Sequence, residues 1–188
     1  MNMENETERK RQLRFEIKID SPPTFYLDIK KKTIDPKTNK LREDKYYLTG
    51  NIFYSEQLHF STRMKVINFA KRFLRPHFES AYIPRLTNMK LSLFFCYGDS
   101  RSDLDNLDSF WKKVILDMLK TITPKMKERA LKYKTELIHL EIIKDDNSKY
   151  VNEFQSKFIP RGNQLIIIIE GDRDAVQTSM QGIFDQPF

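Results

Sequence analysis

The chain has 188 residues and is 39% hydrophobic, enough for one domain with a buried core and little left over for a second. Thirty-three Lys and Arg against 26 Asp and Glu leave a formal charge of +7, which favours polyanionic partners without naming one. One cysteine, Cys96, excludes an intrachain disulfide framework and a cysteine-based zinc site, and fits an intracellular home. No apolar run is long enough to span a bilayer, and Met1 to Arg14 lacks the apolar segment of a signal peptide, so neither membrane nor export is expected.

Residues 1–12 are polar and read as a basic flexible arm, 13–174 as a single folded domain and 175–188 as a tail. In Leu13 to Asp20, Leu13, Phe15, Ile17 and Ile19 alternate with charges, the pattern of a strand with one buried face. Lys30 to Asp44 reads as a mobile loop between strand-like pieces near Phe25 to Ile29 and Tyr46 to Leu48. Apolar residues then recur at three and four between Ser55 and Leu74, predicting a helix closed by Pro76. Met89 to Tyr97 is an apolar, aromatic-rich run and predicts a central strand.

The clearest helix follows, with Leu107, Phe110, Trp111, Val114, Ile115, Met118 and Leu119 on one stripe and Asp105 or Asn106 as its N-cap. Thr123-Pro124 breaks it, and Lys125 to Lys134 reads as a short helix or an exposed insertion. Two strands, about Lys149 to Phe158 and Gln164 to Glu170, are expected to form a hairpin through Pro160 to Asn163. The sum is an α/β (α+β) domain, a mixed β-sheet packed by helices.

Asp103-Leu104-Asp105-Asn106 puts two carboxylates two residues apart where a loop enters a buried helix. Hard divalent cations take such oxygen ligands, and a cation there can polarise a phosphate and activate a water. Aspartates at such a place also simply cap helices. A second acidic pair, Asp145 and Asp146 before Asn147, either completes a cation site or shapes a turn.

The string from Arg101 to Leu107, the amphipathic helix ending Leu116-Asp117-Met118-Leu119, Asp145-Asp146-Asn147-Ser148 and the later strand Gln164 to Ile167 resemble the RusA family of Holliday junction resolvases. In outline the resemblance covers residues 13–171. It implies a homodimeric α/β endodeoxyribonuclease that nicks four-way DNA junctions in recombination, repair or replication, using magnesium or manganese. By position Asp103 and Asp105 match the first two metal-binding aspartates, and Asp146, with Asp145 beside it, the third.

The family's catalytic lysine falls on Ser109 when counted from Asp105, or on Lys113 when counted back from the end of the helix. Lys112 lies roughly 20° off the face of Asp105, so it too could reach the site, or both lysines are solvated charges. With Ser109 at that position, a nucleic-acid-binding protein without catalysis is the alternative, and a flap or fork nuclease of the same chemistry is another. Expected DNA contacts are Arg101 beside the aspartates, Arg11 and Arg14, and Lys30, Lys31 and Lys32. Gln177, Met180, Ile183 and Phe184 have the spacing of a sliding-clamp-binding peptide, with Ile183 where an aromatic is usual.

Overall fold

The computed structural model describes residues 12–21, 26–56, 58–97 and 104–174. Six strands and four helices follow one another as β1 (Leu13–Asp20), β2 (Tyr26–Ile34), β3 (Leu41–Tyr47), α1 (Asn51–Tyr54), α2 (Phe60–Ser80), β4 (Leu86–Tyr97), α3 (Leu104–Leu119), α4 (Pro124–Tyr133), β5 (Val151–Ile159) and β6 (Asn163–Arg173). The main sheet is mixed, in the order β1-β6-β4-β5, with β4 and β5 parallel and the other pairs antiparallel. The domain is α+β.

Alternation in β4 buries Leu91, Leu93, Phe95 and Tyr97, which join one core with Leu107, Phe110, Trp111 and Val114 of α3 and Val66, Ala70 and Leu74 of α2. The Ile17 and Ile19 side of β1 closes that core at the sheet edge. Each fully buried aliphatic side chain contributes about 1.5–3 kcal/mol, so the α3 stripe holds its helix against the sheet far more firmly than helix propensity would.

Three expectations need correction. The stretch from Lys30 to Asp44 is not a loop, because β2 and β3 pair as an antiparallel ribbon whose turn is closed by Asp35 N donating to Lys40 O. Pro76 does not end α2, which runs on to Ser80. The proline lacks one helical N–H, but continuing the helix buries Phe78 to 1% exposure and offsets that loss.

The third correction concerns the last two strands, which are not hairpin partners. β5 pairs with one edge of β4 and β6 with the other, and residues 160–162 cross over the end of β4, where Gly162 takes φ +80°. Leu165, Ile167, Ile168 and Ile169 are all buried because β6 is an inner strand, paired on both edges. Among the described residues no helix is long and apolar enough to cross a membrane.

Candidate metal centre

α3 begins at Leu104, so Asp105 and Asn106 lie inside its first turn rather than capping it, and Asp103 lies outside the described residues. Asp105, Asp108 and Lys112 fall at i, i+3 and i+7 and share a helix face. Asp105 is exposed, in the first turn of α3, at the positive dipole end that favours anions.

Asp108 is part-buried, and its Oδ1 is buried with no hydrogen-bond partner among the described residues. Burial pushes its carboxyl above the usual carboxylate range. The Ser156 hydroxyl and Lys112 act against that push, and the charge of Asp105 adds to it. Ser156 and Phe154 lie on one face of β5, and Lys112 Nζ sits 3.9 Å from the centroid of the Phe154 ring.

A buried carboxylate oxygen with no hydrogen-bond partner among the described residues and an exposed carboxylate one turn away fit a hard divalent cation that keeps some of its waters, while the positive helix end beside them suits a phosphate rather than the cation. Among the described residues no group of three His, Cys, Asp or Glu side chains lies together, and the third expected carboxylate, Asp103, lies outside them. Asp108 was not legible as a site residue from motif spacing. The signal available was its place three residues after Asp105 and four before Lys112.

Position 109 holds a serine and no cation. Ser109 Oγ donates to Asp105 O at 2.5 Å, and the turn before α1 lies over this side chain, with Gly50 N donating to Asn106 O at 3.1 Å. A Cβ on Gly50 would stand 2.8 Å from Ser109 Cβ. Of the two candidate lysines, Lys112 is the one beside the acidic pair. Lys113 turns towards the far end of the helix and meets Asp117 at 3.8 Å.

Asp146 is not brought to Asp105 within the chain. Its Oδ2 is 3.4 Å from Lys120 Nζ, and the same ammonium is 2.9 Å from Asp117 Oδ1. Asp105 and Lys120 stand about 22 Å apart along the helix at 1.5 Å per residue, more than a lysine and two aspartate side chains can bridge to one cation. Ile142 N and Ile143 N donate to Leu119 O, and Leu86 N donates to Ile142 O, which fixes this segment at the opposite end of β4 from α3's start. Asp145 shapes a turn: its Oδ1 accepts from Asp146 N at 2.8 Å and its Oδ2 from Asn147 Nδ2 at 2.9 Å, and these bonds hold its carboxyl below the usual range.

Of the expected DNA contacts, Arg14 on β1 is paired with Glu170 at 2.9 Å, which cancels much of its attraction for phosphate. Lys30, Lys31 and Lys32 lie along β2. Arg11, Arg101 and the peptide containing Gln177, Met180, Ile183 and Phe184 lie outside the described residues. Comparison with protein-family models, curated proteins and solved structures returns no match.

Proposed function

We propose that this chain is a magnesium-dependent endodeoxyribonuclease of the RusA type acting on branched DNA, with four-way junctions as its first substrate. Its cation site is Asp105 and Asp108 on α3, with Asp103 just before them. The observation that carries the reading is the buried, unpartnered Oδ1 of Asp108 on the same helix face as exposed Asp105. A bound divalent cation would polarise the scissile phosphate and lower the pKa of a coordinated water. Asp105 and Asp108 would hold it, the positive end of α3 would attract a phosphate oxygen, and Lys112 adds positive charge one turn further on. The net charge of +7 favours the approach of a polyanion.

A second reading is a binding protein that keeps the scaffold without catalysis. It is favoured by Ser109 lying under the Gly50 turn and by Asp146 being engaged by Lys120, so that two positions at which the family places catalytic groups serve other purposes here. Cleavage of a labelled four-way junction, beside linear duplex and flap controls, separates the two. Wild type, Asp105→Asn and Asp108→Asn are compared with magnesium, manganese and EDTA. Metal-dependent nicking lost in both variants supports the nuclease. Junction binding without cleavage under either metal supports the second reading, and cleavage that survives in both variants removes the proposed centre. Paired nicking further requires two copies, so a monomer by light scattering at micromolar concentration would restrict the enzyme to single nicks.

A further inference from the structure

A cavity of about 670 Å³ lies at the other end of α3, between the first half of α2, the end of α3, α4 and residues 135–139. Lys71, Asp117, Lys120 and His139 line it together. Lys71 is 7% exposed and makes no ion pair among the described residues, while Lys120 and Lys113 share Asp117, and Lys120 also takes Asp146. His139 Nδ1 lies against the backbone O of Lys120, 3.2 Å away, and Glu136, which also lines the cavity, is held by Arg72. Lys71, Lys120 and Arg129 against Asp117 and Glu136 leave the lining more positive than negative, and Lys71 feels Asp117's charge without forming an ion pair among the described residues.

The rest of the wall is of a different kind. Met64, Met126 and Ile138 give adaptable apolar surface, and Phe60 and Tyr133 stand at the rim, each 58% exposed. Asn68 and Thr135 add groups that can donate and accept hydrogen bonds, which a heteroaromatic ring answers and an alkyl chain does not. α4 buries none of its own residues, so it roofs the cavity without filling it. The volume is within the range of small-ligand sites, roughly 300–1,000 Å³.

We propose that this cavity binds a monophosphate carried by a flat heteroaromatic ring, the chemistry of one unpaired nucleotide, with the phosphate against Lys71 and the ring on the aromatic rim of Phe60 and Tyr133. Burial pulls the Lys71 ammonium down to about 8, with Asp117 acting against the fall and Lys120 and Lys113 adding to it. At pH 7 the amine is therefore charged and poorly solvated, the condition in which an anion gains most. The site stands apart from the acidic pair of α3's first turn and does not depend on the nuclease reading.

Calorimetric titration of the full chain at pH 7 in EDTA, with thymidine 5′-monophosphate, thymidine, inorganic phosphate and oligothymidylate, tests this. The monophosphate is expected to bind at least about tenfold more tightly than inorganic phosphate, which lacks the stacking ring, and than thymidine, which lacks the charge that Lys71 would meet. Lys71→Met should weaken it about tenfold, and Tyr133→Ala, at an exposed position that folding does not need, by a smaller factor. Both variants' unfolding temperatures are recorded alongside. Tighter, Lys71-dependent binding of oligothymidylate would identify the occupant as a nucleotide within a strand, and preference for the monomer as a free nucleotide. Equal affinity for inorganic phosphate and the monophosphate, or affinity unchanged in Lys71→Met, would overturn the proposal. No metal is present in the titration, so its failure is separate from any failure of junction cleavage.

Discussion

At its start α3 carries Asp105 exposed and Asp108 with a buried Oδ1 that has no hydrogen-bond partner among the described residues. At its end Asp117 is shared by Lys113 and Lys120, and Asp146 closes the other side of Lys120. Both ends are rich in carboxylates, so counting acidic residues does not tell them apart. What separates them is whether the charge is already answered. A neutralised cluster stabilises the fold, whereas an unanswered carboxylate or ammonium leaves interaction energy available to a ligand. This criterion is why we propose a cation site at the start of α3, and why at its end the group of interest is Lys71 of the neighbouring helix, not any of the aspartates.

The largest expected effect comes from removing the unanswered acids. Asp105→Asn should lower magnesium-dependent junction cleavage by more than about 100-fold, above the 10–100-fold that outer-shell partners of a metal typically cost. Junction binding measured by gel shift should persist, because a carboxylate facing phosphate has been lost. Magnesium should also raise the thermal midpoint of wild type but not of Asp108→Asn, by up to about 2.7 kcal/mol at a hundred times Kd.

Next in size, Lys71→Met should stabilise the protein at pH 7. The Lys71 amine falls from 10.5 unfolded to about 8 folded, so the native state carries the full penalty of a buried charge below pH 8 and none above 10.5. The gain is about 3 kcal/mol at pH 7, fades between those two values and is read from denaturant midpoints across that window.

Asp117→Asn should act in the opposite direction, since it takes away Lys113's partner, leaves Lys120 with Asp146 alone and removes the negative charge that acts on Lys71. A loss of about 2 kcal/mol is expected, below the 3–5 kcal/mol of a fully buried pair because Asp117 keeps 21% of its side-chain exposure. Equal stabilities of Asp117→Asn and wild type in urea would break the view that this end of the helix is structural. The smallest effect is assigned to Gly50→Ala. Its φ of −52° suits any residue, so the demand for glycine is steric, and the added methyl against Ser109 should cost about 1 kcal/mol.

The α3 stripe and the alternation of β1 could be read from sequence because each element makes its main contacts by its own period. The β5–β6 relation could not. Pro160 to Gly162 has the residues of a tight turn, and nothing local reveals that a strand more than sixty residues upstream enters between the two arms. The hint lay in Leu165 to Ile169, apolar on both faces, which is the mark of an inner strand rather than a hairpin edge. The D-L-D-N motif located the start of α3, but Asp108 resembled an ordinary surface acid until Ser156 and Phe154 of β5 came beside it. The diversion of Asp146 was equally hidden, because its partner Lys120 is set by where residues 141–146 cross the end of the helix.

The sheet order β1-β6-β4-β5 places the first strand of the chain against the last, with no other partner for β1 in that sheet. During synthesis β1 therefore waits with its Ile17 and Ile19 side uncovered until residues 163–173 have left the ribosome, and β4 has only one neighbour until the same moment. A chain halted at residue 160 would contain every aspartate of α3 and still lack the strand that joins β1 to β4 in the sheet, so the sheet closes only once β6 has been made.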